Sequence, residues 1–321
     1  MSSSLDLDHA LQVAEEAARA AGALIKASWG KAGGSGVGGG GEGGANANAN
    51  GAVSVSAKGG NAADLVTDVD EACEALIREK LRSAFPDHGF IGEEESAAKK
   101  EAGGGGGDAS AAPSAPSTPV WMVDPLDGTA NFVHAFPFSC TSIALCVNNE
   151  PVVGVVFNPV LDEMFCAKKG GGAFLNGRRL GPLGNGNGGN ETTTDLSRAL
   201  IGTEIGTSRD PRVMDAVFAR AKAVTAASRS LRCAGSCALG LCGVAAGRLD
   251  AFYEIGFGGC WDVAAGALVV TEAGGCVLDP AGGTFGVMAR RVLAARDART
   301  GAAVAGLLRE AGTAASEPGA P

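Results

Sequence analysis

Apolar positions recur along the chain with two periods. Over residues 5–29, Leu5, Ala10, Leu11, Ala14, Ala17, Ala18, Ala21, Leu24 and Ile25 fall at helical spacing, with Glu15, Glu16, Arg19 and Lys26 between them. That spacing predicts an amphipathic helix almost at the start of the chain. A second helix is predicted over 71–85, with Leu76, Ile77 and Leu81 inward and Thr67 or Asp68 as its cap. Shorter apolar runs at 90–91, 120–124, 139–147, 151–157 and 163–167 read as strands. Asn148-Asn149 and Asn158-Pro159 supply turns between them, so the middle of the chain reads as an antiparallel meander. In the last third, predicted helices at 211–223, 236–246 and 263–272 alternate with strands at 224–226, 250–254 and 276–278. This mixture predicts layered sheets and helices, an α/β (α+β) architecture in one domain over 1–321.

The pattern fails in three places. Residues 31–51, 97–119 and 181–193 collapse into Gly, Ala, Asn, Ser and Pro and read as flexible inserts, and the tail from about 311 reads likewise. The first insert contains a formal G-x-G-x-x-G at 36–41. No strand leads into it and no helix follows, so it is not read as a dinucleotide site. Asn190-Glu191-Thr192 is a glycosylation sequon without meaning in an intracellular protein.

Charge and composition narrow the function. A net charge of −9 argues against nucleic-acid or anionic membrane partners. A phosphorylated substrate stays compatible if metal ions supply local positive charge. The nine cysteines contain no Cys-x-x-Cys pair and there are three histidines, which points to buried reduced thiols rather than a zinc or disulfide framework. No apolar run approaches the ~18 residues of a membrane span, and the first residues lack the form of a secretory signal. The reading is a cytoplasmic protein.

Chemistry concentrates where the strand at 120–124 ends, in Asp124-Pro125-Leu126-Asp127-Gly128-Thr129-Ala130-Asn131-Phe132. Pro125 cannot donate to a ladder, so regular pairing is expected to stop at Asp124, with Asp124 and Asp127 on the turn beyond and Gly128 free to take an unusual backbone angle. Two such close acids repel each other unless a cation lies between them. Asp70, Glu93 and Asp262 sit at comparable junctions between an apolar strand and a turn or helix start. Such junctions can converge on one edge of a layered fold. Carboxylates without adjacent Cys or His suit Mg²⁺ better than Zn²⁺ and fit a two-metal hydrolysis of a phosphate ester. Gly30-Lys31-Ala32 lacks the Ser or Thr of a Walker motif, so transfer from ATP is not favoured. Read alone, each acid has a plainer role: a turn for 124–128, a helix cap for 67–70, a solvated charge run for 93–95 and a strand-end charge for Glu254.

Four blocks, in order, resemble the inositol monophosphatase family. They are Leu65-Val66-Thr67-Asp68-Val69-Asp70, Ile91-Gly92-Glu93-Glu94, 124–134 beginning Asp124-Pro125-Leu126-Asp127-Gly128-Thr129, and Trp261-Asp262-Val263-Ala264-Ala265-Gly266 running on to Gly275. The resemblance implies a layered αβαβα sandwich of the inositol monophosphatase and fructose-1,6-bisphosphatase type. It also implies a Mg²⁺-dependent, lithium-sensitive phosphomonoesterase acting on a small phosphorylated polyol, myo-inositol monophosphate first, and a homodimer. On this resemblance Glu93, Asp124 and the Leu126 carbonyl hold one Mg²⁺, Asp124, Asp127 and Asp262 a second, and Glu93 shares a weaker third. Thr129, polarised by Asp70, would orient and deprotonate a water, with Glu93 counted among the catalytic residues. Gly128 and Thr129 would meet the phosphate, and Gly235, Ser236, Cys237 and Glu254 the polyol. Ala130 departs from the family, which commonly has a second threonine there. The run Ile255-Gly256-Phe257-Gly258-Gly259-Cys260 resembles the plant-type branch, whose members also hydrolyse L-galactose 1-phosphate on the way to ascorbate. The alternatives are a histidinol-phosphate phosphatase of the same fold and a non-catalytic binding homologue. Retention of every matched ligand and of Thr129 speaks against the latter.

Overall fold

The computed structural model describes residues 5–31, 53–101, 118–183 and 195–311. Two short strands, β1 (Val55–Ala57) and β2 (Leu65–Thr67), pair antiparallel beside the main body. The larger sheet has seven strands in sequence order: β3 (Gly89–Gly92), β4 (Val120–Asp127), β5 (Cys140–Val147), β6 (Glu150–Asn158), β7 (Glu163–Lys168), β8 (Gly172–Leu175) and β9 (Arg178–Arg179). All neighbours from β4 onward are antiparallel, as the meander requires, and β3 alone runs parallel to β4. A second sheet is built from β10 (Leu200–Thr203), β11 (Ser230–Arg232), β12 (Ala251–Ile255), β13 (Cys276–Leu278) and β14 (Arg291–Ala295), in the order β11-β10-β12-β14-β13. Helices α1 (Leu7–Ser28), α2 (Asp68–Ala84), α3 (Glu93–Glu101) and α4 (Thr129–Val133) belong to the first half of the chain. Helices α5 (Pro211–Ala227), α6 (Cys237–Ala245), α7 (Cys260–Glu272) and α8 (Ala298–Glu310) belong to the second.

Strand alternation sorts the core into three clusters. Trp121, Val123, Ile143, Leu145, Val153 and Val155 face one side and pack on α1 and α2, where Ala10, Ala14, Ala17, Ala18 and Ala21 admit a close approach. Met122, Ala144, Cys146 and Val156 face the other side, against α6 and α7. Those two helices are covered in turn by Phe252, Val292 and Ala294 of the second sheet. Ile201, Ala251, Tyr253, Leu293 and Ala295 point outward onto α5 and α8. The layers are therefore helix, sheet, helix, sheet, helix. The middle helices are buried on every side, so α7 shows no polar stripe and its residues 260–270 are all buried.

Local chemistry explains most boundaries. Thr67 caps α2 in a reciprocal capping box with Asp70, Asp210 caps α5 ahead of Pro211, and Ser236 caps α6. Three expectations need correction. Residues 97–101 are helical, because Lys99 pairs with Glu95 at i,i+4 and the acidic run 93–95 starts a helix instead of a loop. Residues 224–226 continue α5 rather than forming a strand, since Val224 packs inward one turn beyond Arg220. Pairing does not stop at Asp124, and β4 continues to Asp127 through a register shift. Of the inserts expected at 31–51, 97–119 and 181–193, residues 32–51, 102–117 and 184–193 lie outside the described residues, as do the tail from 312, the G-x-G-x-x-G and the sequon. All nine cysteines are free thiols, and only Cys233 is exposed. No described helix is long and apolar enough to cross a membrane.

Candidate functional site

The register shift creates the site. Asp124 pairs with Ser142 and Asp127 with Cys140, so Pro125 and Leu126 together oppose Thr141. This is a β-bulge. In an unbroken strand, residues three apart face opposite sides; the extra residue brings both carboxylates to one side. The freed backbone groups find new partners. The Thr141 hydroxyl donates to the Pro125 carbonyl at 3.0 Å, and the Leu126 amide donates to Asp124 Oδ1 at 2.9 Å. Gly128 then turns the chain at φ 85°, where a Cβ would stand 2.9 Å from the Phe138 carbonyl oxygen and 3.0 Å from that of Gly235. Only glycine fits there. The next residue, Thr129, opens α4 with its hydroxyl 3.1 Å from both Asp70 Oδ1 and the Leu126 carbonyl.

The other walls come from distant parts of the chain. Asp70 stands in the first turn of α2, and its Oδ2 accepts the Thr67 amide at 2.9 Å and the Thr67 hydroxyl. Asp262 lies in the first turn of α7 and accepts the Gly259 amide at 2.8 Å. Asp127 Oδ2 accepts the Ser236 hydroxyl at 2.6 Å and the Ala238 amide at 2.8 Å, which ties the start of α6 to the bulge. Ligand oxygens of Asp124, Asp127 and Asp262 all lie within 4.8 Å of one another. Glu93 opens α3 beside this group, but its carboxylate is bonded to Lys58 at 2.7 Å. The same ammonium reaches Glu94 at 2.9 Å.

Burial dominates the electrostatics. It pushes Asp124, Asp127 and Asp262 above the ordinary carboxylate range, and repulsion among them and from Glu93 adds to the shift. For Asp127 the Ser236 and Ala238 donors pull the other way. Burial also raises Asp70 to about 7, opposed by its bonds from Thr67. For Lys58 burial acts downward, yet Glu93 and Glu94 outweigh it and hold the ammonium well above its usual value. Among the described residues no basic side chain is bonded to Asp124, Asp127 or Asp262. A cluster of two buried acids and a half-buried one, with no basic side chain bonded to it among the described residues, fits a hard divalent metal, and its donors are carboxylate and carbonyl oxygens. The Cys140 thiol is 3.8 Å from Asp127 but is pushed well above its ordinary value by burial, so it stays a neutral donor.

Toward the second sheet, Gly235, Ser236 and Cys237 form the turn into α6, with Gly235 exposed and Cys237 buried. The Ser236 hydroxyl is committed to Asp127. Glu254, on β12, is buried, and its Oε2 has no hydrogen-bond partner. Burial raises it well above the usual range, and Glu204 and Asp262 add to the shift. Sequence reading missed two residues here. Lys58 lies in a Lys-Gly-Gly turn that has no periodic signal. Glu204 accepts the Ala234 amide at 3.1 Å and the Gly235 amide at 2.8 Å, and looks from sequence like a strand-end charge.

The model of the inositol monophosphatase family matches residues 6–313. Inositol monophosphatase 2 of Solanum lycopersicum is 53% identical over 231 residues, covering 72% of this chain and 80% of the relative. The solved extragenic suppressor protein suhB of Bartonella henselae superposes with a TM-score of 0.72 at 30% identity, over 94% of this chain and 99% of that one. The inositol monophosphatase of Anabaena (Nostoc) sp. gives a TM-score of 0.68 at 28% identity, over 95% and 96%.

Proposed function

The chain belongs to the inositol monophosphatase family, and from that premise we propose that it hydrolyses myo-inositol monophosphate to inositol and phosphate at a Mg²⁺ site. The observation that carries this reading is the group of buried Asp124 and Asp262 with half-buried Asp127, whose oxygens lie within 4.8 Å and which, among the described residues, have no basic side chain bonded to them. Glu93, Asp124 and the Leu126 carbonyl are assigned to one ion, and Asp124, Asp127 and Asp262 to another. Bound there, Mg²⁺ supplies the charge that holds the phosphate, acidifies the attacking water and stabilises the leaving alkoxide.

The chain's own residues supply orientation and proton transfer. Thr129 takes the proton of the attacking water while its own hydroxyl proton passes to Asp70 Oδ1, 3.1 Å away. Thr67 keeps the other Asp70 oxygen occupied, so Oδ1 is the one turned to Thr129. The amides of Gly128 and Thr129 are assigned to the phosphate, and Gly235, Ser236, Cys237 and Glu254 to the polyol. The unpartnered Oε2 of Glu254 is suited to accept a sugar hydroxyl. Ser236 serves the same site through Asp127.

A second substrate, L-galactose 1-phosphate, is proposed on the resemblance of residues 255–260, in the wall beside Asp262, to the plant-type branch. There Arg290 Nε donates to the Phe257 carbonyl at 2.6 Å and the Gly256 amide donates to the Arg290 carbonyl at 2.9 Å. These bonds hold the 255–259 run whose sequence resembles the plant-type branch. We further assign a homodimer in the cytoplasm. Phe136 and Leu161 are half exposed, and Asn158 links them by donating to the Pro137 carbonyl and accepting the Leu161 amide. Such an apolar pair suits a contact with a second copy.

The test is a substrate panel of inositol 1-phosphate, L-galactose 1-phosphate, histidinol phosphate and fructose 1,6-bisphosphate, assayed with Mg²⁺ and with and without lithium. Fastest lithium-sensitive release from inositol 1-phosphate is expected. Preference for histidinol phosphate would replace this reading with the alternative enzyme.

A further inference from the structure

Helix α3 begins with three consecutive acids, Glu93, Glu94 and Glu95, and the residue before them is Gly92, which has no side chain to cap it. The first amides of a helix need acceptors. Here they come from a different helix. Glu74, on α2 and only 4% exposed, accepts the Glu94 amide at Oε2 (2.8 Å) and the Glu95 amide at Oε1 (3.1 Å). Arg78 balances its charge, with Nη2 2.7 Å from Glu74 and 2.9 Å from Glu95, while its guanidinium lies over the Phe90 ring. Gly92 makes room for this arrangement, since a Cβ there would overlap Glu74 Oε2.

We propose that Glu74 is a positioning residue for Glu93, capping α3 from the neighbouring helix and thereby setting how tightly the protein binds its divalent cation. Two constraints meet at Glu93. On its N-terminal side the ladder pairs Gly92 with Val123, next to Asp124. On its C-terminal side Glu74 fixes the next two amides. The Glu93 backbone is thus held between the strand that carries the bulge and the helix that carries Asp70. Asp70 and Glu74 also stand at i,i+4 on one buried face of α2, an arrangement of like charges that costs stability unless each has a separate partner. Asp70 serves Thr129 and Glu74 serves α3.

The inference rests on the assignment of Glu93 as a ligand. Its test is calorimetric titration of the metal-free full-length protein with Mg²⁺ alone, for wild type, Glu74→Gln, Glu93→Gln and the double variant. Near-isosteric Gln presents one acceptor where two amides and Arg78 converge. Expected are about 10-fold weaker binding for Glu74→Gln, a loss at least as large for Glu93→Gln, and less than about twofold further loss when Glu74→Gln is added to Glu93→Gln. Glu74→Asp, which keeps the charge but retracts it, is expected to follow Glu74→Gln, and circular dichroism verifies folding of each variant. Wild-type affinity in folded Glu74→Gln or Glu74→Asp, with Glu93→Gln weakened, overturns the inference while sparing the ligand assignment. An equal loss in both backgrounds also overturns it, because Glu74 would then act independently of Glu93. Unchanged binding in Glu93→Gln overturns the assignment, and the inference with it.

Discussion

From β4 to β9 each strand of the larger sheet pairs with the next one in sequence, whereas β10 pairs with β11 and β12 only after α5 and α6 have carried the chain away and back. The two sheets also differ in what they bring to the site. Elements on and around the first hold Asp70, Glu93, Asp124, Asp127 and Thr129; the second holds Glu254, with Glu204 bracing the 234–236 turn. Asp262 and the Ser236–Asp127 bond join the two halves. The contrast separates the groups assigned to phosphate chemistry from those assigned to the alcohol. Altering the first set should slow every substrate alike, and altering the second should change which substrate is preferred.

The separation can be broken, starting where the effect is largest. Asp124→Asn is expected to lower kcat/KM about 1000-fold for every phosphate ester tested. A loss confined to one ester would mean that the bulge also reads the alcohol. Thr129→Ala should lower kcat about 100-fold with Mg²⁺ affinity nearly unchanged by calorimetry. If metal binding disappears too, Thr129 holds the site together instead of moving a proton. Glu254→Gln should change the ratio of kcat/KM between inositol 1-phosphate and L-galactose 1-phosphate about 10-fold; a constant ratio would remove β12 from alcohol selection.

The smallest effect concerns stability. Burial raises Asp70, Asp124, Asp127 and Asp262 in the folded chain, with Asp70 at about 7. Between the ordinary carboxylate range near 4 and these raised values, the folded protein binds more protons than the unfolded chain. Their contribution is complete below about pH 4 and is lost as pH rises through the folded values, about 6 for Asp127, about 7 for Asp70 and about 8 for Asp262. In chelator-treated protein this term should lower the melting temperature by several degrees between pH 5 and pH 8, and added Mg²⁺ should restore it. A melting temperature insensitive to Mg²⁺ at pH 8 would argue that Lys58 and the local donors already neutralise the acids.

How far the sequence could be read follows from the same contrast. The meander was legible because its alternation is local and its Asn-containing turns are short. Strands β10, β11 and β14 escaped because three to five residues flanked by loops give no period to count, and their pairing is set by distant partners. In the candidate site, Asp70, Glu93, Asp124, Asp127 and Asp262 were legible from their junctions and from motif resemblance, and the structure brings the last three together. Glu74, Lys58 and Glu204 were not, because each acts on backbone or charge from remote segments. The acidic run 93–95 misled for a related reason: its cap comes from another helix, so its own neighbours do not announce a helix start.

The bulge at Pro125 and Leu126 makes chain length part of the coding of the site. Leu126 contributes a carbonyl, while its side chain is fully buried in the core. Replacement by another aliphatic residue therefore leaves the functional atom in place. Deleting Pro125 or Leu126 would still leave both aspartates on one face, but would draw the carbonyl back into the ladder. In a mutational library these positions should tolerate exchange of side chains and reject a one-residue gap.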